Sequence, residues 1–184
     1  MYSDTLCLEN SIQQCILCPL HSHSTNIQFG KMFGFGNSGK YLILGSNPSN
    51  RRNTFGGYAM SKNETLTNNS EDYLWRCLEE IKWPIKDSYF TNVAKCSTPD
   101  NRELTFTEFK PCGKLWLAQE IMITTPQIIV CLGNHAHDNF KEIDFWFSRD
   151  LKIFKVFHHA YISRTPNKYG EWKNQWLDIL RETS

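Results

Sequence analysis

Cys15 and Cys18 are separated by two residues in "QQCILCPL", residues 13 to 20. Such a pair offers two thiolates to one metal centre and needs partners from elsewhere in the chain. There are seven cysteines in all, Cys7, Cys15, Cys18, Cys77, Cys96, Cys112 and Cys131. In a reducing compartment an odd number favours metal, buried-thiol or catalytic roles over a disulfide framework. Cys7, Cys77 and Cys131 sit in apolar patterns and read as core thiols. Other residues able to do chemistry gather in four short stretches: "GSNPSNRR" (45 to 52), "TNVAKC" (91 to 96), "CLGNHAH" (131 to 137) and "FHHAYISR" (157 to 164). The Asn amides carry a donor and an acceptor apiece, and the imidazoles titrate near neutrality.

Each stretch follows, or ends, a segment that reads as a strand. "YLILG" (41 to 45) and "QIIVCLG" (127 to 133) are apolar runs of the kind buried on both faces of a parallel sheet. "SYFTNVAKC" (88 to 96) reads as another strand, and "LKIFKVFH" (151 to 158) alternates like a fourth. Between them "EDYLWRCLEEIKW" (71 to 83), "TEFKPCGKLWLAQEIMI" (107 to 123) and the segment opening at "HAHDNFKEI" have helical character, and "GEWKNQWLDILRE" (170 to 182) closes the chain as an amphipathic helix. Alternating strands and helices predict an α/β fold, a three-layer αβα sandwich around a short, mainly parallel four-stranded sheet. Ligands of such sheets bind beyond the carboxyl ends of the strands, where the four polar stretches converge.

The 184 residues suit a single domain spanning 1 to 184, with the paired cysteines on an N-terminal arm. No apolar run has the length of a membrane span, and "MYSDTLCLEN" lacks the pattern of a signal peptide, so a cytosolic location is expected. A net charge of +1 neither favours nor excludes nucleic acid. Local positive charge lies in "NRRN" (50 to 53), at Arg102 and between Arg164 and Lys168. A monomer is the default.

The four tips, in this order, resemble the uracil-DNA glycosylase superfamily, above all its iron–sulfur branch, often called family 4. "YLILGSNPS" resembles the strand and water-activating loop of motif A. "TFGG" (54 to 57) is similar to the segment supplying a stacking Phe. "FTNVAKCSTPDNR" (90 to 102) is similar to the block Ile-Thr-Asn-Val-Val-Lys-Cys-Arg-Pro-Pro-x-Asn-Arg. "PQIIVCLGNHA" and "HHAYISR" resemble a later strand and motif B. The resemblance covers nearly the whole chain, and its most specific parts are the Asn-Val-x-Lys-Cys block and the cysteine spacing.

The resemblance implies that Cys15, Cys18, Cys96 and Cys112 bind a [4Fe–4S] cluster, with tetrahedral zinc as the chemical alternative. It implies a base pocket in which Phe55 stacks on the base and Asn92 reads its edge, with Ser46 and Ser49 beside them. Asn47 would position water, and His158 would hydrogen-bond the departing base. Tyr161 and Arg164 would contact DNA; Arg51 and Arg52, which the resemblance does not supply, would contact DNA phosphates or the hydroxyls of a bulky base modification.

The sequence also departs from the pattern. Asn47 stands where the iron–sulfur branch often has Ala, and His159-Ala160 replaces the usual Pro-Ser. Ser49 is small where some members place a bulky aromatic that excludes thymine, and Arg51-Arg52 stands where acidic residues are usual. The implied activity is monofunctional hydrolysis of the N-glycosidic bond of a flipped uracil or modified pyrimidine. A hypermodified cytosine such as glucosylated hydroxymethylcytosine, in phage defence, and a catalytically weak DNA-binding protein are the alternatives. An iron–sulfur electron carrier does not explain four polar tips.

Overall fold

The run from Tyr41 to Gly45 offers almost nothing to water, so it is stable as a strand only when covered on both faces. In the computed structural model, which describes residues 2–24, 27, 31–32, 39–49, 70–146 and 150–183, it is the central strand of the sheet. The strands are β1 (Lys31–Met32), β2 (Tyr41–Gly45), β3 (Ser88–Asn92), β4 (Ile128–Leu132) and β5 (Lys152–Val156), in the order β1-β3-β2-β4-β5. β3, β2, β4 and β5 are mutually parallel, as the sequence predicts. The short β1, antiparallel to β3, is an addition at the edge. β5 forms the other edge, which accounts for its alternating pattern: it is largely exposed until Val156.

Described helices are α1 (Tyr2–Gln13), α2 (Leu20–His23), α3 (Ser70–Glu80), α4 (Phe106–Cys112), α5 (Ala118–Thr124), α6 (Gly133–Lys141), α7 (His159–Arg164) and α8 (Tyr169–Thr183). Successive strand side chains point to opposite faces, and this builds the three layers. Tyr41, Ile43, Phe90, Ile128 and Val130 pack with Leu74 and Leu78 of α3 and with Trp172 and Trp176 of α8. On the other face Leu42, Leu44, Tyr89, Ile129 and Cys131 meet Phe109, Leu117 and Ile121, together with Ala136 and Phe140 of α6. No helix among the described residues is long and apolar enough to cross a membrane.

α4 begins at a capping box that the sequence spells out. The Thr105 side chain accepts from the backbone N–H of Glu108, and the Glu108 carboxylate accepts from the Thr105 N–H at 2.8 Å. α4 and α5 are joined through a π-helical stretch, Gly113–Leu117, immediately after Cys112. Such widened turns recur at functional sites.

α1 lies where only an arm was expected, and it corrects the reading of Cys7. Leu8 and Ile12, four residues apart on one helix face, are buried in a small cluster with Ala94, Cys112 and Trp116. Cys7 lies off that face and is exposed, and its carbonyl accepts from the Ser11 hydroxyl. Cys77 and Cys131 are fully buried core thiols, as expected.

Candidate functional site

Four parallel strands in register end together, so the residues after them form one rim. Gly45 pairs with Asn92 across β2 and β3, and Leu132 with Val156 across β4 and β5. Ser46 and Asn47 follow β2, Asn92 ends β3, Gly133 follows β4, and His158 lies two residues beyond β5.

His158 is the N-cap of α7, and its Nδ1 accepts the Ala160 N–H at 3.1 Å. With Nδ1 held as acceptor, a neutral ring carries its proton on Nε2. Gly133, at φ +84°, makes room for this residue: a Cβ there would lie 3.0 Å from the Cβ of His158. On the same helix Tyr161 and Arg164 are exposed, three residues apart, and the Tyr161 ring meets Phe157 edge-on with centroids 5.4 Å apart.

Asn47 donates through Nδ2 to Pro48 O at 3.2 Å and to Thr98 Oγ1 at 3.3 Å. The Ser46 hydroxyl accepts from Asn139 of α6 at 3.3 Å, so it is tied to the neighbouring helix. Ser49 is partly buried at the end of the described loop. Phe55, Arg51 and Arg52 lie outside the described residues.

Asn92 is 5% exposed, and what holds it was not read from the sequence. The Lys95 ammonium donates to Asn92 O at 2.6 Å, to Thr91 Oγ1 at 2.7 Å and to Glu120 Oε2 at 2.6 Å. Lys95 and Glu120 are both essentially inaccessible. A lysine on an otherwise apolar strand end was the available signal, but its carboxylate partner lies 25 residues on. Arg102, one of the local positive charges in the sequence, is paired rather than free: its guanidinium forks onto Glu108 at 2.6 and 2.9 Å. The same contact holds the Glu108 carboxyl down at about 2.

A second site lies behind the end of β3. Cys15, Cys18, Cys96 and Cys112 line one cavity together with Lys95, Glu108 and Trp116. N–H groups point at several of these sulfurs, the backbone N–H groups of Leu20 and His21 among them at Cys18. Trp116 Nε1 donates to Cys15 Sγ at 3.1 Å and the Leu17 N–H to the same sulfur at 3.4 Å, while the Lys95 N–H donates to Cys112 Sγ at 3.3 Å. Burial, reinforced by neighbouring cysteines, pushes the Cys112 thiol up to about 12 and Cys96 to about 11, and raises Cys18 as well. Bare thiolates are therefore disfavoured at Cys18, Cys96 and Cys112, and a positive centre would reverse that. Among the described residues no group of three or more His, Cys, Asp and Glu side chains is placed to hold a single metal ion.

The family model of the uracil DNA glycosylase superfamily matches residues 33–181. The chain belongs to that superfamily. Membership makes it a DNA glycosylase, a hydrolase of the bond between base and sugar. Among curated proteins it is similar to the Type-4 uracil-DNA glycosylase of Thermotoga maritima, 30% identical over 93% of this chain and 88% of the relative. The Type-4 uracil-DNA glycosylase of Archaeoglobus fulgidus is 25% identical over 91% of this chain and 87% of its own. That of Sulfurisphaera tokodaii is 30% identical over 51% of this chain and 50% of its own. These likenesses agree with the iron–sulfur branch that the motifs suggest.

Proposed function

We propose that this glycosylase removes uracil from DNA by water attack on the deoxyribose C1′, leaving an abasic site. The observation that carries the reading is the common rim on which Asn47, Asn92 and His158 lie. The target base must leave the stack to reach it. In the pocket Phe55 stacks on the base, and the Asn92 amide reads its Watson–Crick edge with one donor and one acceptor. Ser46 and Ser49 complete the wall.

Bond breaking moves negative charge onto the base and positive charge onto the sugar. His158, protonated on Nε2, donates to the base oxygen where charge collects. The Asn47 carbonyl oxygen accepts from a water and holds it against the sugar; an amide is too weak a base to do more. Arg51, Arg52, Tyr161 and Arg164 grip and wedge the duplex. Ser49 is smaller than the bulky aromatic that excludes thymine in some members, and this supports a pyrimidine with a 5-substituent, such as a bulky modified cytosine, as a second substrate.

Cys15, Cys18, Cys96 and Cys112 fit a [4Fe–4S] cluster. Such a cluster would be held by four cysteine thiolates, one from each of these residues, and tetrahedral zinc is the chemical alternative for the same four. Their shared cavity and the N–H groups aimed at Cys15 and Cys112 support a thiolate-held centre, and the likeness to the iron–sulfur branch favours the cluster. When bound, the cluster supplies positive charge that keeps the thiols deprotonated and cross-links the N-terminal arm to the sheet.

The test is base release from DNAs containing uracil, thymine mismatches, hydroxymethylcytosine or its glucosylated form, read by alkaline cleavage of abasic sites. Uracil should be released, and Asn47→Ala should slow release by on the order of 10²–10³-fold, the usual effect of losing one preorganised polar group. Release only from the bulky cytosines would move the substrate assignment to those bases. Unchanged activity in Asn47→Ala would remove that residue from the mechanism.

A further inference from the structure

We propose that Thr98 is a positioning residue that sets which end of the Asn47 amide faces the reacting water. The inference rests on the role given to Asn47 above. The two ends of an Asn side chain are nearly isosteric, yet one donates and the other accepts, so only the neighbours decide which points where. A water-holding group must present its oxygen.

Thr98 has a single hydroxyl proton, and that proton goes to Arg102 O at 2.6 Å. Towards Asn47, 3.3 Å away, Thr98 can then offer only a lone pair. The other described neighbour on that side, Pro48 O at 3.2 Å, is also purely an acceptor. Both therefore select the NH2 end of the amide, and Oδ1 is left on the side away from them. Turning the amide over would set its oxygen against two others.

The hydroxyl is itself held. Thr98 is 1% exposed, so water does not compete for it. Its acceptor is carried on a tight turn, with Asp100 and Asn101 both at positive φ, which brings the Arg102 carbonyl back over Thr98. Arg102 is clamped in turn by its fork on Glu108. The family block given above has Pro where Thr98 stands, and the related branch often has Ala where Asn47 stands. This chain departs at both ends of the same contact.

The experiment compares single-turnover base release and DNA affinity for wild type, T98V, T98S, N47A and the N47A/T98V double variant, on the DNA that wild type cuts fastest. T98V should slow release about tenfold, the effect of one hydrogen bond, with DNA affinity unchanged. T98S keeps the hydroxyl and should restore the rate to within about twofold. In the N47A background T98V should add nothing, because the group it orients is gone; a merely structural role would slow both backgrounds alike. If T98V does not fold, as judged by circular dichroism, T98A removes the same hydroxyl and takes its place. A slowed N47A beside an unaffected T98V would overturn the proposal and leave the role of Asn47 standing. An unaffected N47A, or no release by wild type from any DNA of the panel, would overturn the role of Asn47 and this inference with it.

Discussion

The three protons of the Lys95 ammonium meet three acceptors: Asn92 O, Thr91 Oγ1 and Glu120 Oε2. Nothing on that group is left over, which is how an ammonium survives with 1% of its side chain exposed. The pair is local machinery more than ballast, because one of its contacts is to the backbone of the residue proposed to read the base. Lys95→Met should cost about 3–5 kcal/mol, since it strands the Glu120 charge in the core. Adding Glu120→Leu should return most of that stability, because a well-packed apolar pair replaces an ion pair at little cost. The double variant should then melt near wild type yet discriminate poorly between uracil and cytosine, for the Asn92 carbonyl has lost its anchor. Thermal melting and base release on paired DNAs measure the two effects separately. A double variant that melts normally and still discriminates fully would show that Lys95 is purely structural.

At the scale of elements, α7 carries His158 at its cap and His159 as its first residue. A first helical position is where Pro is best tolerated, its N–H being unneeded and its φ already set. His158, at φ −69° and ψ 136°, has the extended conformation that a following Pro requires. The Pro of the related motif is thus compatible with this backbone, and His159 brings a liability in its place. Its Nδ1 is buried with no hydrogen-bond partner among the described residues, and burial pulls the imidazole down to about 4. The unfolded ring takes its proton near 6.5, before the folded one does, so protons favour the unfolded state between those values. Stability contributed by the neutral ring is intact above about pH 6.5 and lost as pH falls towards 4. His159→Pro should keep α7, add about 0.4–1 kcal/mol by stiffening the unfolded chain, and flatten this acid slope. Melting temperatures taken at intervals from pH 7.5 down to 4 would reveal it; an unchanged slope would assign the acid sensitivity to other groups.

For the molecule as a whole, α1, α2 and the Cys15–Cys18 loop form an arm against the sandwich. Leu8 and Ile12 are its buried contacts with Ala94, Cys112 and Trp116. A helix of twelve residues is marginal in water without such packing. The proposed cluster would add a fastener between this arm and the segments carrying Cys96 and Cys112. Anaerobic protein should therefore be brown, with about four irons per chain. Removing iron by oxidation and chelation should expose the arm to protease first, with cleavage between residues 2 and 24 while the sheet remains folded. Mass spectrometry of limited digests reads this directly. A colourless, zinc-loaded protein would replace the cluster by zinc, and an arm equally resistant without metal would show that Leu8 and Ile12 suffice.

Much of the fold was legible because it depends on near neighbours. "YLILG" and "QIIVC" are apolar at successive positions, and that pattern has few outcomes besides a strand buried on both faces. Thr105 and Glu108 spell a helix start in four residues. The four cysteines were picked out by the resemblance, and the cavity they line is a product of folding. Cys7 was misread because an apolar neighbourhood does not say which side of a helix will find a partner. Arg102 remains a half-exposed surface charge, but its pairing with Glu108 is set by the preceding turn at positive φ, at Asp100 and Asn101. The Lys95–Glu120 pair and the orientation of the Asn47 amide were beyond sequence altogether. Their partners lie 25 and 51 residues away, and a side chain 3 Å from another is selected by tertiary packing, not by spacing along the chain. Local pattern therefore determined which strands form and which residues crowd their ends; only the folded sheet decided which hydrogen-bonding end each of those residues presents.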